Sequence, residues 1–209
     1  MRSHLLNVTR RVALVAVAGA VCVACKPWTV RPIEETASGT PAGPARFDAA
    51  AYVESIWASR VEPTVKASAI ALNVGSAANA APAGSTALVR GTGIVAAVDT
   101  RSRVGLALVD LAPGDGRADV AVQIGPVLRG TALRDALPFI RFGDFANQLE
   151  FADVANALNA RVLHSVLAAI DTASLQGRPV SFWGAMKADG AGGDRLPEVV
   201  PVILQGGAP

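Results

Sequence analysis

The chain has 209 residues, of which 51% are hydrophobic and 5% aromatic, with 19 Lys and Arg against 17 Asp and Glu. This length fits one domain with additional segments, and the few aromatic residues predict a mainly aliphatic core. The near balance of charge excludes a strongly basic or strongly acidic binding protein.

An export signal is predicted at the N-terminus. Arg2, Arg10 and Arg11 form a positive region, and residues 12–24 form an apolar run. This run is shorter than the about 20 residues that a membrane-spanning helix needs, and its size and flanks are typical of a secretory signal peptide. Removal of residues 1–24 takes three of the 19 basic residues, which leaves 16 against 17 acidic residues. The mature chain is therefore close to neutral.

The apolar run ends in Cys22-Val-Ala-Cys25, which resembles a bacterial lipobox with Cys22 where most lipoboxes have Leu. The resemblance implies cleavage before Cys25 and acylation of its thiol. An ordinary signal peptide and an uncleaved anchor are the alternatives. Both cysteines of the chain lie here, so we expect no disulfide and no cysteine-ligated metal in the mature domain. The predicted location is the periplasm, with the lipid holding the chain to a bacterial membrane.

A tether and a helical segment follow the predicted lipidation site. Residues 25–46 comprise Cys25 and a flexible tether rich in Pro, Gly, Ser and Thr. Residues 47–72 predict a helix with Asp48 as its N-cap. Pro63 predicts an end or a kink near Val61, with a new helical start in which the proline occupies the first turn. The apolar stripe of this segment comprises Phe47, Tyr52, Ile56 and Trp57.

Five strands and one long helix are predicted after a loop at residues 73–86. Gly91 and Gly93 lie in the first strand, where glycine marks sharp coiling or the close approach of another backbone. Residues 113–117 contain an Asp-Gly turn and close a hairpin. Helical periodicity runs from 147 to 171, between the third strand and the fourth. The predicted strands are residues 87–100, 103–111, 119–124, 179–187 and 198–204.

This order predicts the α+β class, as a small OB-like barrel of five antiparallel strands at about residues 87–204. The long helix lies between strands three and four, and a helical segment precedes the barrel. A generic α+β sandwich is the alternative. We expect residues 47–204 to form a single domain and residues 205–209 to form a tail.

Several strings resemble a family of predicted bacterial periplasmic lipoproteins of unknown function, the domain of unknown function 2291. The resemblance covers roughly everything from Cys25 to Leu204, and the string from Gln123 to Asp135 is its most specific part. It implies an envelope-anchored domain, often encoded near sugar ABC transporters, and it brings no catalytic residues. The other strings that carry it are Gly91-Thr-Gly, Phe142-Gly-Asp-Phe-Ala-Asn-Gln, Asn156-Ala-Leu-Asn-Ala-Arg, Gly184-Ala and the Tyr52…Trp57…Pro63 helix.

The residues indicate no catalytic constellation and no cofactor. His164, the one histidine of the mature chain, lies in the long helix, where a lone histidine is usually a packed or surface residue. The Gly91 string lacks the third glycine of a dinucleotide-binding turn. Asp110, Asp115 and Asp119 flank the hairpin turn without the EF-hand spacing, so a conformational role is favoured over calcium binding. A nucleic-acid-binding barrel needs a basic groove and stacking aromatics, which this composition does not favour.

The stretch from Gln123 to Phe151 holds the candidate contacts for a ligand or a partner. Thr131 and Asp144 are expected to cap short helices there. Arg129 and Arg134 have no evident local role in the sequence. They could bind an anionic or hydroxylated ligand, or they could pair with Asp135, Asp144 and Glu150 and hold the loop, which is the favoured interpretation. The candidate contacts are Gln123, Arg129, Arg134, Asp135, Asn147 and Gln148.

The sequence therefore predicts a lipid-anchored periplasmic accessory protein without catalytic activity. The expected partners are the membrane, through the lipid, and an envelope protein such as a component of a sugar ABC transport system. The alternative is a module that binds a small polar ligand, a carbohydrate or an anion. A hydrolase is the least favoured. A concave cavity holding Arg129, Arg134 and Gln148 would favour the ligand, and a flat apolar patch on the barrel would favour the protein partner.

Overall fold

The computed structural model describes residues 47–77, 80–188 and 195–206. The predicted signal peptide, Cys25 and the tether lie outside the described residues. The helices of the domain are α1 (Ala49–Ile56), α2 (Glu62–Ser68), α3 (Ala132–Ala136) and α4 (Gln148–Val162). The strands are β1 (Ile70–Ala71), β2 (Thr86–Asp99), β3 (Leu106–Leu111), β4 (Val120–Gln123), β5 (Pro179–Lys187) and β6 (Glu198–Gly206).

The N-terminal helical segment begins and bends where the sequence predicts. Asp48 caps α1 by accepting a hydrogen bond from Ala51 N at 3.0 Å. A π-helical turn, Trp57–Val61, joins α1 to α2, and Pro63 lies in the first turn of α2. The predicted helix to residue 72 is wrong at its end. Ile70–Ala71 pairs in parallel with Val89 and Arg90, because the first half of β2 offers an open edge there.

Strands β2 to β6 close into a barrel. Strand β2 pairs with β5 through its first nine residues and with β3 through its second half, so it belongs to both sides of the barrel. The circuit continues from β3 to β4, then to β6 and back to β5. The prediction of a wholly antiparallel barrel is wrong, since β4 and β6 are parallel. An odd number of strands cannot alternate in direction around a closed circuit, so one parallel pair is unavoidable.

The glycines of β2 lie where neighbouring groups leave no room for a side chain. A Cβ at Gly91 would lie 2.6 Å from Cζ of Phe182, and a Cβ at Gly93 would overlap the carbonyl of Asp110. The predicted close approach of another backbone is therefore confirmed at Gly93, whereas Gly91 leaves room for the side chain of Phe182. Phe182 is fully buried in the barrel, and the rest of the fully buried core is mainly Leu and Val, as the composition predicts.

The remaining boundaries differ modestly from the sequence prediction. Strand β3 begins at Leu106 because Gly105, with a φ of 55°, turns the chain just before it. Strand β6 continues to Gly206, beyond the predicted start of a tail at residue 205. Helix α4 follows β4 and α3 in the chain and precedes β5, and it packs against α1 and β6. It ends in a π-helical turn, Leu163–Leu167, short of the predicted residue 171.

Candidate functional site

A buried amide joins the end of β4 to the start of β6. Gln123 is 3% exposed. Its Nε2 donates to Oε2 of Glu198 at 3.0 Å, and its Oε1 accepts from the backbone N of Arg129 at 3.0 Å. Both functions of the amide are therefore satisfied, as burial requires. Gln123 holds the chain that leaves β4 against the first residue of β6.

Arg129 forms a two-pronged ion pair with the same carboxylate. Its Nη2 lies 2.5 Å from Oε1 of Glu198, and its Nε lies 3.3 Å from Oε2. Fork-like pairs of this kind fix geometry as well as charge. The partners expected from the sequence, Asp135, Asp144 and Glu150, were wrong for Arg129. Glu198 was missed because only the parallel β4–β6 pairing brings residue 198 beside residue 123.

The guanidinium of Arg134 is bound by neighbouring groups of the domain, and the side chain is 11% exposed. Its Nε and Nη2 donate to Oδ1 of Asp135 at 2.8 and 2.6 Å, and its Nη1 donates to the carbonyl of Phe151 at 3.1 Å. The guanidinium lies 3.7 Å from the centroid of the Phe151 ring. Thr131, which precedes α3, donates to the other oxygen of Asp135 instead of capping a backbone N–H.

Asn147 and Gln148 lie at the start of α4. Asn147 caps that helix by accepting from Glu150 N at 3.0 Å, and Gln148 is exposed. The expected cap, Asp144, instead accepts from the backbone N of Arg141 within its own short turn. The six candidate residues therefore divide into two groups. Gln123 and Arg129 lie with Glu198 at the end of the barrel where β4 ends and β6 begins. The other four lie in the segment from α3 to the start of α4, which we call the helical corner.

A cavity of about 300 Å³ lies beside the first group. Gln123, Arg129 and Glu198 form part of its lining, together with Lys187 and Arg195. Neither Lys187 nor Arg195 makes an ion pair with any residue that the structure describes. The lining is mixed in polarity and carries three cationic side chains against one acidic side chain. Arg134, Asn147 and Gln148 do not line it.

The helical corner carries a continuous aromatic cluster. The ring of Phe142 meets that of Phe151 with their centroids 5.5 Å apart. Further contacts at 5.5–5.8 Å lead from Phe151 through Phe145 to Tyr52 and Phe47. Burial raises the pKa of the Tyr52 hydroxyl. We call these five rings with Leu149 the aromatic surface, because Phe142 is 56% exposed and Leu149 76% exposed.

The acidic residues of the hairpin turn bind backbone. Asp110 accepts from the N–H groups of Asp115 and Gly116, and Asp119 accepts from those of Gly75 and Leu111. This is the conformational role that the sequence favoured. Within the described residues no group of His, Cys, Asp and Glu is placed to hold a metal ion.

A cavity of about 690 Å³ forms an open groove next to the π-helical end of α4. The loop between β2 and β3 forms its opposite side, with Arg101 and Arg103. His164 is exposed at its rim, on the helical side. No local sequence pattern indicates this groove, because its two sides are about 60 residues apart in the chain.

The closed barrel, with β4 and β6 parallel, defines an OB-like fold. A solved structure supports this class. An OB-fold protein from Thermotoga maritima superposes with a TM-score of 0.57 at 14% identity, over 77% of this chain and 99% of that one. No curated protein matches the chain in sequence.

Residues 13–205 match the family described as predicted periplasmic lipoprotein, domain of unknown function 2291. The chain belongs to this family, and the match confirms the resemblance found in the sequence. It is accordingly a periplasmic lipoprotein, anchored to a membrane by its lipid. Of the helices in the described ranges, none combines the length and apolar character that crossing a bilayer requires.

Proposed function

We propose that this lipoprotein is a non-catalytic binding module that engages a protein of the cell envelope through the aromatic surface. The exposure of Phe142, the ring at the end of the cluster, is the observation that carries the proposal, and Leu149 is exposed two residues before Phe151 in α4. Single exposed apolar residues are common on protein surfaces. Here Phe142 continues into a cluster containing five of the ten aromatic residues of the chain. Continuous apolar surface rich in aromatic side chains is typical of a protein interface.

Charges of both signs surround the aromatic surface: Arg134 lies over the Phe151 ring and Arg141 directly precedes Phe142, beside several carboxylates. Asp144 precedes Phe145, and Glu150 lies between Leu149 and Phe151. Asp153 is exposed on the next turn of α4. These carboxylates would repel the phosphates of an anionic membrane surface. A protein can place donors or cations against them and its own apolar side chains against Leu149.

The absence of catalysis is part of the proposal. The polar side chains of the corner that could do chemistry bind their own chain: Arg134 binds Asp135 and the Phe151 carbonyl, and Asn147 caps α4. Such side chains shape a surface and hold it rigid. The family resemblance suggests the class of partner, a component of a sugar ABC transport system.

A second candidate function is the binding of a small polar ligand, a carbohydrate or an anion. The cavity beside Gln123 favours it, because Lys187 and Arg195 face that cavity without an acidic partner among the described residues. Its volume of about 300 Å³ lies at the lower end of the range for ligand sites.

Site-specific cross-linking tests the protein-binding proposal. The mature lipoprotein has no free thiol once Cys25 is acylated, so Leu149→Cys introduces one reactive group at the aromatic surface. Ile94→Cys is a matched control, since Ile94 is another large apolar residue, 54% exposed, on strand β2. A thiol-linked photo-cross-linker is attached to each variant in intact envelopes.

We expect a discrete protein adduct from residue 149 and none from residue 94. Adding Phe142→Ser to Leu149→Cys should weaken the adduct. An identical pattern from both positions, or no adduct from either, contradicts the proposal. A ligand bound beside Gln123 would instead alter the unfolding temperature of the purified protein without any adduct.

A further inference from the structure

We propose that the groove of about 690 Å³ binds an amphipathic anion, with an acyl chain along its floor and an anionic headgroup at its rim. This site is separate from the aromatic surface and from the cavity beside Gln123. The proposal rests on the apolar floor, on the charged side chains of the rim and on the backbone hydrogen bonds that fix the side opposite the helix.

The helical side of the groove is apolar. Leu163, Leu167 and Ala168 face it from the end of α4, and Ile170 follows them. The π-helical turn Leu163–Leu167 changes the phase of the helix. In and after this turn, Leu167 is buried and Ala169 is exposed. The wider turn thus directs Leu163 and Leu167 toward the groove.

The opposite side is held in place by backbone hydrogen bonds. Gly125 N donates to the carbonyl of Val104 at 2.6 Å, and Ile124 N donates to that of Gly105 at 2.9 Å. A Cβ at Gly105 would lie 2.9 Å from Cα of Gly125, so the two glycines let the loop and the exit of β4 touch directly. Ile124 and Pro126 then supply apolar lining from this rigid base.

The rim carries two arginine side chains and one imidazole. Arg101, Arg103 and His164 line the groove, and none of its lining residues is Asp or Glu. Arg101 is already bound by Asp99, through Nε at 3.0 Å and Nη2 at 2.6 Å. Arg103 has no such ion pair with a described residue. A headgroup carboxylate or phosphate at Arg103 would complete the charge balance while the chain covers Leu163 and Leu167.

A lipoprotein domain lies next to the source of such molecules. Two sources share the required chemistry: a free fatty acid and a lysophospholipid with an anionic headgroup. Both have one acyl chain, and a cavity of this volume falls within the range of sites for small ligands. The test below separates the two sources.

The test uses the full-length lipoprotein in phosphatidylethanolamine vesicles. Three photoreactive probes carry the same diazirine acyl chain: a fatty acid, a lysophosphatidylglycerol and the uncharged fatty alcohol. Labelled peptides are identified by mass spectrometry. We expect the fatty acid, the lysolipid or both to label residues 163–170 and 124–127, with little labelling by the alcohol.

Two matched pairs of exposed residues serve as variants and controls. Ala168→Glu places a carboxylate in the groove, whereas Ala169→Glu places one beside it in the same turn after the helix. Arg103→Gln removes the unpaired rim charge, and Arg117→Gln removes an exposed charge on the hairpin turn. Loss of a charged hydrogen bond corresponds to about a tenfold drop in labelling for Arg103→Gln. Ala168→Glu should also abolish labelling, while both controls label as the wild type.

Any one of three results overturns the proposal. The label could spread over the surface or fall on the aromatic surface. It could persist in Ala168→Glu at the level of Ala169→Glu. The alcohol could label as strongly as the anionic probes, which would remove the role of the rim charge. None of these results bears on the cross-linking at residue 149, so the two proposals can fail separately.

Discussion

Gln123 on β4 and Glu198 on β6 are joined by a hydrogen bond of 3.0 Å between amide and carboxylate, across the parallel strand pair of the barrel. This contact also places Glu198 to receive Arg129. The result is a short chain of polar groups that ties the corner after β4 to the last strand.

Replacement of Gln123 by Leu should destabilise the domain by about 1–3 kcal/mol. The change leaves the Arg129 N–H and one carboxylate oxygen of Glu198 without their buried partner. The measurement is the free energy of urea unfolding. Gln205→Leu is the control, because Gln205 is exposed on β6 and its replacement should change stability by no more than about 0.5 kcal/mol. Equal losses in the two variants would show that the amide contacts of Gln123 add nothing measurable to the free energy of unfolding.

Arg134 and Arg129 should differ in their contribution to stability. Arg134→Ala removes a buried guanidinium from Asp135, from the Phe151 carbonyl and from the Phe151 ring, so we expect a loss of about 1–3 kcal/mol. Arg129 is 52% exposed in its side chain, so Arg129→Ala should cost about 1 kcal/mol or less. Thermal unfolding is measured beside capture of envelope proteins. An unchanged melting temperature with lost capture would assign the arginines to recognition instead.

Gly93→Ala should disrupt the pairing of β2 with β3. The added methyl group would overlap the carbonyl of Asp110, and the backbone of two paired strands cannot give way without losing contacts elsewhere. We expect a loss of about 1–3 kcal/mol or more, or failure to fold. Gly143→Ala is the control, since nothing lies within 4 Å of a Cβ built there. Both are compared by circular dichroism and urea unfolding; similar curves would contradict the predicted overlap.

The Asp99–Arg101 pair gives a prediction in pH. Side-chain and backbone hydrogen bonds from Arg101 lower the pKa of Asp99 to about 2. Arg101→Gln should therefore move this pKa up toward its ordinary value of 3.8, as measured by the carboxyl carbon shift in a pH titration. Because the folded pKa is the lower one, the pair favours folding above pH 4, and this contribution disappears as the pH falls toward 2. An unmoved pKa in the variant would exclude Arg101 as the cause.

Acylation of Cys25 predicts which cysteine matters for anchoring. Cys25→Ser should release the protein from membranes, whereas Cys22→Ser should leave it attached, because residue 22 is removed with the signal. Wild-type protein should resist a high-salt wash, since several acyl chains bind firmly and one chain binds only marginally. Sedimentation with membranes followed by immunoblotting measures this. A Cys25→Ser variant that still sediments after the wash would point to an uncleaved N-terminus.

Local patterns predicted the elements of the barrel well. The turn between β3 and β4 and the paired glycines of β2 follow from short-range sequence, and so does the cap at Asp48. The direction of β6 relative to β4 and the short pairing of β1 depend on strand edges that no local pattern records. The same limit applied to the candidate site: Asp135 was among the partners considered for Arg134, but Glu198 was not among those considered for Arg129. The exposure of Leu149 was not predicted either, because local sequence did not indicate which face of α4 packs against the rest of the domain at this position.

Strand β6 is the last strand of the chain, and it closes the barrel by pairing with β4 on one side and with β5 on the other. A chain cut by a protease before residue 198 would lose both pairings at once and would expose two strand edges, together with the amide of Gln123. Unpaired edges of this kind invite association with other chains. Damage at the C-terminal strand would therefore turn an anchored, discrete domain into a nucleus for aggregation at the membrane surface.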